Sequence, residues 1–211
     1  MTEHRDDTQQ QLTRRTFIKG VIGAGAVVSS AGYLFRTSGS SGSHTSAVRA
    51  VDRLISLNVN DRVRRVDVLK QETLATTLRY RLGLTGTKIG CDRAECGACT
   101  VLIDNVPHYS CSVLTHTVRT RRVLTVEALA GGDGTLHPVQ QAVIDEQGFQ
   151  CAFCMPGFIM ATVGFLKEHP NPSRSELAHG LSGNLCRCGD YNKILNAMMR
   201  AAEYTRRAPL A

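Results

Sequence analysis

The residues best equipped for chemistry in this 211-residue chain are its eight cysteines, which fall into two sets of four. Cys91, Cys96, Cys99 and Cys111 are spaced C-x4-C-x2-C-x11-C; Cys151, Cys154, Cys186 and Cys188 are spaced C-x2-C-x31-C-x-C. Four thiolates can grip a structural zinc ion, cradle an iron–sulfur cluster, or be consumed as two disulfides. Zinc sites favour paired C-x2-4-C knuckles, which C-x4-C-x2-C and C-x-C match poorly. Disulfides are the ordinary use of eight cysteines in an exported protein. Colour separates the three, because a bound [2Fe–2S] cluster absorbs visible light whereas zinc and disulfides do not.

The first set has the C-x4-C-x2-C…C arrangement of plant-type ferredoxins, in which four thiolates hold a [2Fe–2S] cluster. The neighbours suit that use. Gly90, Gly97 and Ala98 are small where a loop must bring backbone N–H groups toward sulfur. In the second set, Cys151 and Cys154 precede Pro156 near an expected helix start, where the positive end of the helix dipole favours anionic charge. Met155, Met160, Met198 and Met199 sit at helical spacing and read as core filler. His108, His116, His137, His169 and His179 form no ligand cluster, and none is assigned to metal.

Elements must position these thiols. From residue 51, two alternating apolar runs flank Asn60-Asp61 and predict a β-hairpin; "ETLATTLRYRLGL" then predicts a helix through Leu74, Leu78 and Leu82 that stops at Gly83. A second hairpin turns at Asp104-Asn105, and "RVLTVEAL" supplies a further strand. After "GGDGT" the signals become helical: Pro138 opens one helix, "PGFIMATVGFLKEH" forms the next, Ser173 and Glu176 make a capping box, and "YNKILNAMMRAAEY" gives a fourth. The expected fold class is α+β, with a ferredoxin-type domain over 51–130 and a small four-helix domain over 131–211.

The N-terminus carries "TRRTFIK", residues 13–19, followed by a Gly/Ala/Val run to Phe35 and a Ser/Gly-rich stretch. This layout resembles a twin-arginine export signal, which sends proteins folded and loaded with cofactor across the bacterial inner membrane by way of the Tat translocase. Residues 1–35 are read as that signal and 36–50 as a flexible linker. The expected destination is the periplasm, and an uncleaved signal would leave a membrane tether. Loading clusters in the reducing cytoplasm before folded export would keep the eight thiols from oxidation.

The formal charge of +7 does not point to nucleic acid. Residues 1–50 hold six Lys/Arg against three Asp/Glu, leaving a mildly basic body of nineteen against fifteen. The densest run, "VRTRRV" at 118–123, lacks interleaved aromatics and reads as a solvated face.

The stretches "LTGTKIGCDRAECGACTVLIDNVPHYSC", "GTLHPVQQAVIDEQGFQCAFCMPGFI" and "LSGNLCRCGDYNKI" together resemble the iron–sulfur subunit of the xanthine oxidase family of molybdenum hydroxylases, over residues 51 to about 205. The resemblance implies a β-grasp ferredoxin-like domain followed by a four-helix bundle, with all eight cysteines as ligands of two [2Fe–2S] clusters. It implies a large partner subunit carrying a molybdenum–pterin cofactor, with Gln150 and Cys188 approaching the pterin. Electrons would pass to FAD on a further subunit or to a cytochrome c. The substrate implied is an aldehyde; alternatives are an N-heterocycle of isoquinoline or nicotinate type, or no hydroxylase at all but a free-standing exported ferredoxin. Departures from the family pattern stand at Ala152, Met155, Gly189-Asp190 and Lys193. None removes a ligand.

Overall fold

The computed structural model describes residues 53–207, together with Lys19. The export signal and linker expected over 1–50 lie outside the described residues, Lys19 apart. Strand β1 (Leu54–Val59) turns through Asn60 and Asp61, at φ 56° and 57°, into β2 (Arg62–Asp67). Two consecutive residues in the left-handed region make the turn whose twist matches antiparallel strands, and Asn and Asp tolerate that region. The same device joins β3 (Thr100–Ile103) to β4 (Val106–Tyr109) through Asp104 and Asn105, at φ 51° and 70°. With β5 (Arg122–Leu124) the strands form one mixed sheet in the order β2-β1-β5-β3-β4, in which β1 and β5 are parallel and the other pairs antiparallel.

Alternation along the strands sends side chains into two cores. Ile55, Leu57, Val59, Val101, Ile103 and Val123 face one side, where Leu74 and Leu78 cover them. Those leucines come from a short helix, α1 (Leu74–Thr76), that widens into a π turn over Thr77–Arg81. The sequence predicted a regular helix here; the wider turn, closed by Leu82 N–H on the Thr77 carbonyl at 3.0 Å, still brings Leu82 and Leu84 onto the same core, and Gly83 ends it at φ 69°. Helix α2 (Thr115–Val118) adds buried Val118 to the same side.

The expected strand "RVLTVEAL" is shorter than predicted. It stops at Leu124, and Val126–Ala128 is a 3-10 turn. Asn60 is the reason: its Oδ1 takes the Thr125 N–H at 2.9 Å and its Nδ2 donates to Thr125 Oγ1 at 3.0 Å, so the next ladder position is already satisfied by a side chain.

Leu102 points to the other face of the sheet, into a core built by α3 (Pro138–Asp145), α4 (Met155–Glu168), α5 (Arg174–Gly180) and α6 (Tyr191–Arg207). The predicted capping box is present: Glu176 N–H donates to Ser173 Oγ at 3.2 Å and Ser173 N–H to Glu176 Oε2 at 2.7 Å. His137 caps α3 in the same reciprocal way with Gln140. Met155, Met160 and Met198 are buried in this core, and Met198 Sδ accepts from Thr162 Oγ1 at 2.9 Å. Helix α4 rides directly on β3 and β4; a Cβ on Gly164 would stand 2.5 Å from the Pro107 ring. The α+β class is therefore present as a mixed sheet with helices on both faces, and the segments 51–130 and 131–207 pack together as one unit.

Candidate metal centre

The first four cysteines sit on a loop that runs from the π turn to β3, plus the turn after β4. The loop is folded so that backbone N–H groups converge on sulfur. Arg93, Glu95 and Cys96 donate to Cys91 Sγ at 3.4, 3.3 and 3.4 Å, and Ala94 donates to Cys111 Sγ at 3.3 Å. Aiming those donors demands left-handed backbone at Asp92, Ala94 and Gly97, with φ of 53°, 60° and 69°. Gly90 is small where a sulfur comes close, as expected, whereas Gly97 is small because the 183–184 segment packs on it. A Cβ on Gly90 would lie 3.0 Å from Cys96 Sγ, and one on Gly97 would lie 2.5 Å from Asn184 Nδ2. The roles of Asp92 and Ala94 escape sequence reading, because neither is glycine.

These donors perturb the thiols. Burial pushes Cys91 upward, but the N–H groups of Glu95, Arg93 and Cys96 outweigh it and bring the thiol down to about 7. Cys99 is pushed up to about 12 by burial, with the adjacent Cys111 thiol adding to the effect. In the second set, burial pushes Cys154 up to about 12, whereas Cys186 is lowered because the N–H of Asp190, the Cys154 thiol and the N–H groups of Cys188 and Gly189 overcome its own burial.

The sulfurs stand in twos. Cys91 interacts with Cys96, Cys99 with Cys111, Cys154 with Cys186, and Cys188 with Cys151 at 3.5 Å. None of the eight is in a disulfide. Among the described residues no three metal-binding side chains converge as on a single ion. Two pairs per set is the demand of a two-iron cluster, in which each iron takes two cysteine thiolates. The residues present therefore fit two such clusters: paired thiols, amide donors aimed at sulfur, and backbone held in rare conformations to aim them.

The two cradles face a common cavity of about 620 Å³, lined by Cys91 and Cys96 from one set and Cys151, Cys154 and Cys186 from the other. Its walls are tied together by the backbone. The Cys96 carbonyl accepts from Leu185 N–H at 2.9 Å, and the next residue is Cys186. The Gly97 carbonyl accepts from Asn184 Nδ2 at 3.0 Å, and Tyr109 Oη donates to the Gly183 carbonyl at 2.9 Å. Helix α4 comes so close that a Cβ on Gly157 would collide with the Gly97 carbonyl.

The second cradle opens to the surface. Cys151 and Cys188 are exposed, as is the neighbouring Gln150, and exposed Phe149, Phe153, Leu185 and Tyr191 surround them. Ala152, between the two cysteines of the C-x2-C, is held at φ 58°.

Set beside known proteins, residues 125–199 match the family described as a [2Fe-2S] binding domain. The chain is 46% identical over 155 residues to one subunit of the nicotinate dehydrogenase of Pseudomonas putida, covering 74% of this chain and 98% of that protein. It is 35% identical over 207 residues to the aldehyde oxidoreductase iron-sulfur-binding subunit PaoA of Escherichia coli K12, covering 90% of this chain and 88% of that protein. Among solved structures, quinoline 2-oxidoreductase from Pseudomonas putida 86 superposes with a TM-score of 0.70 at 39% identity, covering 75% of this chain and all of that one.

Proposed function

We propose, from the premise that this chain belongs to the iron–sulfur subunits of the xanthine oxidase family of molybdenum hydroxylases, that it conducts electrons through two [2Fe–2S] clusters from a molybdenum–pterin subunit to a separate acceptor. Cys91, Cys96, Cys99 and Cys111 hold one cluster in a β-grasp ferredoxin-like domain over 51–130. Cys151, Cys154, Cys186 and Cys188 hold the other in a four-helix domain over 131–211. Each bound cluster takes up and releases one electron. The observation that carries the reading is the shared cavity, bridged by the hydrogen bond from Leu185 N–H to the Cys96 carbonyl. That bond joins a residue that would hold one cluster to the residue before one that would hold the other, so a short path of covalent bonds and one hydrogen bond would link the two clusters.

Electrons enter beside Cys188 and Gln150, where the exposed apolar rim of Phe149, Phe153 and Leu185 supplies a surface for the large molybdenum subunit, with Gln150 against the pterin. They leave through the exposed Asp92–Glu95 side of the first cradle, toward FAD on a partner or a cytochrome c. The purified protein is expected to be red-brown, to contain about four iron atoms per chain, and to show two reduced-cluster EPR signals. Cys188→Ser should disturb one signal and leave the other; loss of both together would contradict separate cradles. Co-purification of a molybdenum-containing large subunit tests the complex, and its absence would favour the free-standing ferredoxin.

Two substrate classes have support. The aldehyde reading rests on the match to PaoA, which extends over 90% of this chain. The N-heterocycle reading rests on the higher identity to the nicotinate dehydrogenase protein and on the quinoline 2-oxidoreductase structure. We give the second more weight, because two separate matches, one of sequence and one of structure, are to proteins named for N-heterocycles. Turnover of nicotinate-type heterocycles but not aldehydes by the purified complex is the expected result; the reverse would restore the aldehyde reading.

We also propose export to the periplasm by the twin-arginine route. Arg14→Lys combined with Arg15→Lys should retain the protein in the cytoplasm, measured by fractionation.

A further inference from the structure

Tyr191 opens α6 and reaches back over the C-x-C turn. Its Oη accepts the Cys186 N–H at 2.9 Å. That bond occupies an oxygen lone pair and leaves the single phenolic proton free to be given to solvent or to a group bound in the cradle. Other tyrosines spend theirs on oxygen: Tyr109 donates to the Gly183 carbonyl and Tyr204 to Asp145 Oδ2. Among the described residues no protein group takes the Tyr191 proton. The ring lines the cavity shared by the two cradles, and the other side chains on that wall that can accept a hydrogen bond are cysteine sulfurs; the rest are Gly, Ala, Phe, Leu and the donor-only Arg187.

We propose that the Tyr191 hydroxyl donates to the sulfur shell of the cluster held by Cys151, Cys154, Cys186 and Cys188, and thereby sets that cluster's reduction potential. The proposal rests on the cofactor reading above. A hydrogen bond to cluster sulfur stabilises the additional negative charge of the reduced form, so the hydroxyl raises the potential. The rigid start of a 17-residue helix and the Cys186 N–H together fix where the oxygen lies. Tyr191 is therefore a positioning and tuning residue rather than a ligand.

The test is an EPR-monitored redox titration of the loaded protein. Tyr191→Phe keeps the ring and removes the hydroxyl, both the proposed donor and the acceptor of the Cys186 N–H. The midpoint potential of the second-cradle cluster should fall while that of the first-cradle cluster stays constant. An unchanged midpoint, or an equal shift in both clusters, would overturn the assignment. Should Tyr191→Phe fail to take up the second cluster, 3-fluorotyrosine at position 191 retains the hydroxyl and makes it a stronger donor at mildly acidic pH. The midpoint should then rise, and a constant value would overturn the proposal. A single EPR-active cluster in the unaltered protein would instead refute the two-cluster reading, which separates the two failures.

Discussion

At the scale of single residues, the cradles depend on backbone that side-chain identity does not advertise. Spacing alone divides the eight cysteines into two sets, yet the pairing within the second set is nested, first with last and second with third, and only the chain fold creates it. Glycine likewise flags just part of the left-handed backbone. Asp92, Ala94 and Ala152 carry the rest, and an alanine at φ 58° is strained by its Cβ. Ala152→Gly should relieve that strain and stabilise the protein by about 1 kcal/mol, a rise of about 2–4 °C in melting temperature by calorimetry. Glu72 offers a second residue-level test. Its carboxylate is buried, which raises its pKa, but Arg81, Thr77 and the Leu69 N–H outweigh burial and hold it below the ordinary 4.5. A depressed folded value means the stabilisation is full above the unfolded pKa and is lost as pH falls through the folded one. Urea titrations from about pH 6 to about pH 3 should therefore show a shallower acid loss of stability for Glu72→Gln than for the unaltered protein.

At the scale of elements, the hairpins, the starts of α1 and of α3 to α6 and the Ser173 capping box were legible because each is a local device, whereas the four-residue α2 was not anticipated. Asn-Asp and Asp-Asn turns accept left-handed backbone, and a cap needs partners three residues apart. What escaped were ends decided by distant groups. Strand β5 is cut short by Asn60, 65 residues away in sequence, and the helix after Thr73 widens into a π turn while its leucines still pack on the sheet. Helix α4 gives the sharpest test of packing between elements. Gly157→Ala would drive a methyl into the Gly97 carbonyl and force α4 away from the first cradle, a loss of about 2–3 kcal/mol by thermal denaturation. Gly132→Ala, with open space around its Cβ, should fall within about 0.5 kcal/mol of the unaltered protein.

At the scale of the whole molecule, the composition, charge and α+β class could be read from the sequence, whereas the intimacy of its two halves could not. "GGDGT" suggests a boundary, yet Leu102 of the sheet lies in the same core as α3 to α6, and the cradles share one cavity. Removing iron with a chelator under reducing conditions should therefore lower the melting temperature of both halves together, as one calorimetric transition rather than two. The hydrogen bonds from Leu185 and Asn184 onto Cys96 and Gly97 also set a timetable. The second partner in each bond lies nearly ninety residues downstream, Asn184 being 87 residues after Gly97. The loop around Cys91, Cys96 and Cys99 is spelled out early in synthesis but acquires its clasp only once residue 185 has been added. The clasp on the first cradle thus waits until the residues of the second have been made.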